Sequence, residues 1–200
     1  MSQETWEILC GMKADDVELQ LALQCAPLIT GLKLSNLLTI SPDGFSQVEK
    51  IVEGSILSMY PLMETEAKIV ILLYRRDHLE KYLKMPQVQK LLQEAGYDSG
   101  RLEDILPVFC ERYETYAENR KSFPHEMGLL LGYPPEDVEG FIRHQGRNSL
   151  CTGYWKVYAD KEGKQRLFEK YEYARENLIQ LLHYGVKMAE IIDICGGTAA

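Results

Sequence analysis

A His-Glu pair in the segment SFPHEMGLLLGYPPEDVEGF, residues 122–141, indicates acid–base chemistry. An imidazole next to a carboxylate can transfer protons near neutral pH. We therefore take His125 as a candidate acid–base catalyst and Glu126 as the carboxylate that orients or tunes it. Adjacent side chains on a helix point about 100° apart. A second interpretation thus stays open, a helix start in which Glu126 meets the positive end of the dipole and His125 is half-exposed.

Two arginines after the run AKIVILLY, residues 67–74, indicate an anion-binding site. A continuous apolar run with β-branched residues is typical of a central strand that is buried on both faces. Arg75 and Arg76 come at its carboxyl end, directly before a helix start, where backbone N–H groups and arginines favour anions. Arg75 is therefore a candidate ligand-binding residue. The alternative is a solvated strand end, in which one arginine pairs with Glu80.

A third candidate lies in the segment SLCTGYWKVYA, residues 149–159, where alternating side chains predict a strand. Gly153 in such a strand would let a ligand approach the backbone closely. Tyr154, Trp155 and Tyr158 can form an aromatic wall, and Lys156 can offset a negative charge. Tyr154, Trp155 and Lys156 are candidate ligand-binding residues. The alternative is an ordinary half-buried strand.

The cysteines and histidines are too scattered to predict a metal site. The five cysteines contain no CxxC pair, and the four histidines contain no HExxH pattern, which are spacings that metal sites use. We expect free thiols that are mostly buried as small apolar side chains. Cys151 would act as a nucleophile only beside a base, and the sequence does not place His125 there. No metal ligand is predicted, and the cofactor is left unknown.

Composition and charge limit the class of protein. The chain has 200 residues, 46% hydrophobic and 26% charged, as is usual for soluble globular proteins. Its net charge of −8 argues against nucleic-acid binding, which needs a basic surface. No apolar run approaches the roughly 18–20 residues that span a bilayer, and no signal-peptide pattern opens the chain. We expect a cytoplasmic protein, bound to neither nucleic acid nor membrane, that forms a single domain over residues 1–200.

Many helices and a few strands must position the candidate residues. Strands are predicted at residues 34–40, 67–74 and 149–159. Caps and periodicity predict helices over 15–24, 41 to about 59, from 77, 86–96, after 100, from a cap at Ser122 with Pro124 in its first turn to Gly132, 134–146 and 160–185. A short amphipathic segment, residues 186–194, closes the fold. The pattern predicts the α+β class, with a small, about three-stranded sheet covered by helices.

Four segments together resemble a known family. They are APLITGLKLSNLL, LLYRRDHLEKYL, FPHEMGLLLGYPPEDVEGFI and GYWKVYAD, in that order. Over about residues 10–192 the chain is similar to a family of uncharacterised proteins of anaerobic Gram-positive bacteria, marked by a Pro-His-Glu motif. The resemblance implies a stand-alone bacterial cytoplasmic protein and brings no activity, ligand or catalytic residue. The motif positions correspond here to Pro124, His125, Glu126, Gly132, Tyr133, Pro134, Glu136, Asp137, Gly140, Phe141, Gly153, Tyr154, Trp155, Lys156 and Tyr158.

Three functions stay open on this basis. In the first, an enzyme or binding protein holds a small anionic molecule, with His125 for acid–base work, Glu126 to orient it, and Arg75 and Lys156 to offset charge. In the second, an accessory protein of anaerobic redox or metal homeostasis binds iron, haem or a flavin, or docks a redox partner protein. The third is a non-enzymatic regulatory or interaction protein. The oligomeric state is unknown.

Overall fold

The computed structural model describes residues 2–121 and 123–196, and it confirms the α+β class. Within these residues it contains ten α-helices, one short 3-10 helix and five strands. In chain order they are α1 Gln3–Gly11, α2 Val17–Ile29, β1 Ser35–Ile40, the 3-10 helix Pro42–Gly44, α3 Phe45–Val52, β2 Ser58–Glu64, β3 Ile69–Tyr74, α4 Arg76–Leu83, α5 Pro86–Glu94, α6 Leu102–Asn119, α7 Met127–Leu130, α8 Pro135–Arg143, β4 Cys151–Thr152, β5 Lys156–Val157, α9 Lys161–His183 and α10 Met188–Gly196.

The elements group into two compact units. The first comprises the chain up to Arg76 together with the part that begins at Glu169, and the second runs from Asp77 to Phe168. The expected single domain over residues 1–200 stays a prediction. In the described part of the chain, no helix has both the length and the apolar character that crossing a membrane requires.

The first unit is built on a three-stranded antiparallel sheet in the order β1-β3-β2. All six residues of the central strand β3 are buried, which explains its continuous apolar sequence. Helix α2 packs against β1. Its apolar side chains form the core with those of the sheet, α3, the end of α9 and α10. The strands predicted at residues 34–40 and 67–74 are confirmed, with slightly shorter bounds.

Two predicted helices of this unit have other bounds in the structure. The helix expected to reach about Met59 ends at Val52, and the chain then pairs with β3 as β2. Pro61 makes this segment look unlike a strand in the sequence, because proline lacks the N–H that a strand donates. Strand β2 accommodates Pro61 because β2 lies at the edge of the sheet and its register with β3 shifts next to Pro61. The helix predicted over residues 15–24 continues through Pro27 to Ile29. Gly31, with φ of 77°, follows its end.

The second unit contains α4 from Asp77 onward, helices α5 to α8, the β4–β5 pair and the first part of α9. The strand predicted over residues 149–159 is wrong. The segment folds back as a hairpin, in which Cys151 pairs with Val157 and Thr152 with Lys156. The N–H of Gly153 donates to the carbonyl of Trp155 (3.0 Å), which closes the turn. The alternation that predicted one strand therefore spans two very short ones.

The segment before α7 is less helical than its sequence predicts. The predicted cap Ser122 lies outside the described residues, and helix α7 covers only Met127–Leu130. Pro124 precedes it without helical structure. Gly132 ends the segment as predicted, with φ of 68° in the left-handed region that glycine adopts readily.

Candidate functional site

A cavity of about 290 Å³ in the second unit brings together two of the three candidate segments. Its lining comes from the α7 region, from α8 and from the β4–β5 hairpin. His125, Tyr154, Trp155 and Lys156, all predicted site residues, lie in this lining. The other residues that line it are Phe123, Met127, Gly128, Tyr133, Asp137, Val138, Phe141, Thr152 and Gly153.

The carboxylate of Asp137 fastens the hairpin to α8. Pro135 starts this helix, where a missing N–H costs nothing, and Asp137 follows in the first turn with only 2% of its surface exposed. Its Oδ2 accepts from Nε1 of Trp155 (2.8 Å), and its Oδ1 accepts from the N–H groups of Tyr158 (2.7 Å) and Ala159 (3.1 Å). Three donors thus satisfy one buried carboxylate and fix the hairpin.

Aromatic rings hold Trp155 in place on one side of the cavity. Tyr133 stacks on it with ring centroids 4.8 Å apart, and Phe168 meets it edge-on at 4.6 Å. Tyr154 lies 5.6 Å from Phe168. We call Tyr133, Tyr154 and Trp155 the tryptophan wall.

Gly153 serves the packing of this hairpin. A Cβ built on Gly153 would lie 2.4 Å from the ring of Phe168, far inside van der Waals contact. Close approach of the ring therefore explains the glycine without a ligand. The close approach to Gly153 that the sequence predicts is made by the ring of Phe168.

A second group of rings also lines the cavity, and we call it the histidine wall: Phe123, His125 and Phe141. The ring of His125 lies 5.4 Å from that of Phe123 and 5.6 Å from that of Phe141. Residue His125 is exposed. Within the described residues, no hydrogen bond holds its imidazole, so both ring nitrogens face solvent or the cavity.

A cation, the ammonium of Lys156, lines the same cavity as His125. The ammonium of Lys156 donates to the carbonyl oxygen of Gly146 (2.7 Å) and lies 5.8 Å from the ring centroid of Phe141. An ammonium has three N–H groups, so Lys156 keeps donors beyond this bond. Lys156 and His125 therefore converge on the ring of Phe141.

Glu126 points away from this cavity. It is 6% exposed, and its Oε1 accepts from Nη1 of Arg112 (2.9 Å) and from the hydroxyl of Tyr97 (3.1 Å). Arg112 also donates to the carbonyl of Ala95 (2.9 Å) and lies over the Tyr97 ring at 4.6 Å. Its hydrogen bond to Glu126 raises the pKa of Arg112. Burial, followed by the charge of Glu126, raises the pKa of Tyr97.

The His-Glu pair is thus divided between two cavities. Glu126 and Arg112 line a second, more polar cavity of about 500 Å³, and Phe123 lies in the lining of both. The carboxylate of Glu126 bonds to neither nitrogen of His125. Its buried ion pair fixes the backbone that carries His125.

Arg75 lies in the first unit and closes the end of a helix. Its Nε donates to the carbonyl of Leu28 (3.2 Å) and its Nη2 to the carbonyl of Ile29 (2.8 Å), the last residues of α2. Burial lowers the pKa of Arg75, and the nearby Cys195 thiol acts in the opposite direction. A cation at a helix C-terminus complements the dipole. These donors serve the fold, and Arg75 does not line the cavity of His125.

The sequence alone did not assign Asp137, Phe141 or Thr152 to the site. In the sequence Asp137 looks like an ordinary acidic residue in the first turn of a helix. Apart from its place in the motif, nothing in the sequence indicates its contact with Trp155. The helical spacing of Phe141 predicts that it lies on the buried face of α8. Among the described residues, no three His, Cys, Asp or Glu side chains gather in a way that would hold a metal ion.

The chain belongs to the family described as "Protein of unknown function (DUF3793)", whose model matches residues 21–192. The resemblance seen in the sequence is confirmed at the level of the family. Its occurrence in anaerobic Gram-positive bacteria and its Pro-His-Glu mark stay predictions. Neither curated proteins nor solved structures provide a match.

Proposed function

We propose that this member of the DUF3793 family binds a small anionic molecule in the cavity between the histidine and tryptophan walls. His125 and Lys156 meet the negative charge of this molecule, and the aromatic side chains contact its body. Pockets of this kind, apolar with a few convergent polar groups, are where proteins hold small ligands.

One observation carries the proposal: an imidazole and an ammonium lie on the same ring, Phe141, at the edge of an apolar cavity. The distances are 5.6 Å from the His125 ring and 5.8 Å from Nζ of Lys156. Neither group is neutralised by a carboxylate among the described residues. The ammonium of Lys156 is half-buried beside the ring of Phe141, so it attracts an anion more strongly than a fully hydrated cation would, because the local dielectric is lower.

The chemistry available in the cavity is proton transfer by His125. Its imidazole has no hydrogen-bond partner in the described chain and can therefore give a proton to a bound molecule or take one from it. Glu126 acts as a positioning residue, since its ion pair with Arg112 holds the backbone next to His125. Arg75 is left out of the proposal, because its donors cap α2.

The volume of the cavity favours a small ligand. About 290 Å³ lies at the lower end of the roughly 300–1,000 Å³ of ligand pockets. A molecule of one or two rings fills such a space. Haem and flavins are considerably larger, so the cavity does not favour the second hypothesis, an accessory redox protein.

The test is a binding screen that uses Trp155 as the reporter. Trp6, the other tryptophan, is 60% exposed and can be changed to phenylalanine, so that emission comes from Trp155 alone. Small organic carboxylates and phosphates are titrated into the Trp6→Phe protein, and hits are measured by calorimetry. Lys156→Gln and His125→Ala are each expected to weaken a hit by about ten-fold or more.

Matched controls are exposed residues of the same unit. Lys90→Gln and His78→Ala remove the same chemical groups from the surface and are expected to leave affinity unchanged. Unfolding midpoints of all four variants are expected to stay close to wild type. The proposal fails if no anion binds, or if the site and control variants bind alike. Iron, a Soret band or a flavin spectrum in protein purified without oxygen would instead support the redox hypothesis.

A further inference from the structure

The histidine wall and the tryptophan wall line the same cavity, which we call the slot. Ring–ring contacts hold the histidine wall together and separately tie Tyr133 to Trp155. Among the described residues, no ring of the histidine wall contacts a ring of the tryptophan wall. The slot is therefore lined by two separate groups of aromatic rings, and aromatic surfaces favour another flat ring in offset or edge-on contact.

The slot has a polar mouth and an apolar interior. His125 and Thr152 are exposed, whereas Val138 and Trp155 are buried. Thr152 stands directly opposite Lys156 in the hairpin, so their side chains share one face with Cβ atoms about 5 Å apart. The hydroxyl of Thr152 has no hydrogen-bond partner among the described residues. Three groups that can donate to an oxyanion, on His125, Lys156 and Thr152, therefore line the same cavity.

The buried carboxylate of Asp137 sets the direction of a bound anion. It lines the same cavity, and its oxygens accept from Trp155, Tyr158 and Ala159. A second negative charge in the interior would be repelled by it and would lack solvent. The negative group of a ligand must then stay at the mouth, and the part inside must be uncharged.

We propose that the ligand is a planar aromatic molecule of one or two rings with a single carboxylate or similar oxyanion on its edge. The ring lies in the slot, and the oxyanion meets Lys156, His125 and Thr152, of which Thr152 is a new ligand-binding residue. This inference rests on the proposed function and narrows it to a class of ligand. A saturated acid of equal charge lacks the flat ring, and a neutral aromatic amide lacks the charge.

The experiment compares three probes on the full-length protein by calorimetry. 2-Naphthoate is planar and anionic, decalin-2-carboxylate is saturated and anionic, and 2-naphthamide is planar and neutral. We expect 2-naphthoate to bind at least about ten-fold more tightly than either of the others. Thr152→Val, which keeps the shape of the side chain, is expected to weaken 2-naphthoate several-fold and to leave 2-naphthamide unchanged.

The outcomes separate this inference from the proposed function. If decalin-2-carboxylate binds as tightly as 2-naphthoate, or if only non-aromatic anions from the screen bind through Lys156, the ligand class is wrong and the anion site stands. If no anion binds, both fail. Equal loss of both naphthyl probes in Thr152→Val would exclude the oxyanion contact of Thr152. The unfolding midpoint of Thr152→Val is the control for folding. Thr115→Val, which removes the hydroxyl of an exposed threonine on α6, is the matched control for affinity.

Discussion

Glu126 is a carboxylate that the fold uses to hold a neighbouring residue in place. It is buried with Arg112 and Tyr97 as donors, whereas Arg112 is 36% exposed. A buried ion loses much more than a partly hydrated one when its partner is removed. The two halves of the ion pair should therefore respond differently to substitution.

We predict that Arg112→Ala lowers the free energy of unfolding by about 1–3 kcal/mol, because it leaves a buried carboxylate with a single donor. Glu126→Gln should cost less, since the amide oxygen still accepts from both donors. Urea denaturation near neutral pH measures both. Lys90→Ala, which removes half of an exposed pair with Glu94, serves as the control and should stay within about 0.5 kcal/mol. A greater loss for Glu126→Gln than for Arg112→Ala would contradict this account.

Lys33 is a buried cation that should make stability depend on pH. Its ammonium donates to Oδ1 of Asn36 (2.7 Å), and burial lowers its pKa from 10.5 to about 8. Between these two values the unfolded chain binds a proton that the folded protein does not bind. Stability therefore rises with pH in this interval, and below about pH 8 the folded protein carries the full cost of the buried charge.

We predict that wild type gains stability relative to Lys33→Met from about pH 7.5 to about pH 9, by on the order of 1 kcal/mol. Above pH 9 the Cys25 thiol works in the opposite direction, because burial raises its pKa from 9.0 to about 12. The charge of Lys33 lowers the pKa of Cys25, so the two groups are coupled, and the comparison is therefore kept below about pH 9, where the thiol stays protonated in both proteins. Urea denaturation of the two proteins across this interval gives the difference directly. A flat or falling difference would show that burial does not lower the pKa of Lys33, because a Lys33 with its ordinary pKa is protonated in both the folded and the unfolded chain over this interval.

The helices and strands that could be predicted from the sequence are those that a local pattern of apolar residues defines. Strand β3 is a continuous apolar run because both of its faces are covered, and helix α9 shows its period over many residues. Strand β2 depends on pairing with β3, and Pro61 hides it. The β4–β5 hairpin is equally hidden, since its turn is fixed by Asp137 on another element. No periodicity in the chain reports such a contact.

The site residues, too, could be predicted only as far as residue type indicates them. Tyr154, Trp155, Lys156 and His125 were singled out by residue type, and they do line one cavity. Glu126 and Arg75 were singled out in the same way, yet their partners come from α6 and from the end of α2. Residue type indicates what a side chain can do. The neighbours that occupy its donors and acceptors are set by tertiary packing, which one sequence does not contain.

Asp137 connects two elements, and its removal should loosen the hairpin as a whole. We predict that Asp137→Ala lowers the free energy of unfolding by about 2–4 kcal/mol, because three donors lose their acceptor and two of them are backbone N–H groups. Glu139→Ala on the same helix, whose exposed carboxylate pairs with Arg143, should cost at most about 0.5 kcal/mol. Urea denaturation compares the two variants. Trp155 fluorescence should shift to longer wavelength in the native Asp137→Ala protein, and an unchanged emission would mean that the hairpin is held by other contacts.

At the scale of the whole molecule, charge decides which anions can bind. The chain has 30 acidic and 22 basic residues, so a polyanion meets net repulsion wherever it covers a broad surface. A small anion responds to a field that is screened within about 10 Å at 0.1 M salt. Lys156 and His125 can therefore attract a small carboxylate although the molecule is acidic. The two kinds of anion should behave in opposite ways.

We predict that a labelled DNA duplex shows no rise in fluorescence anisotropy at protein concentrations up to about 10⁻⁴ M, where basic proteins bind DNA without sequence specificity. The same preparation should bind a small aromatic carboxylate, and Lys156→Gln should weaken that binding by about ten-fold or more without changing the result for DNA. A control basic protein confirms that the duplex is competent to bind. A saturable DNA signal that weakens steeply with salt would reveal a basic surface that the composition does not indicate. An unchanged affinity of Lys156→Gln for the carboxylate would mean that the ammonium of Lys156 is not what attracts the anion to this acidic protein.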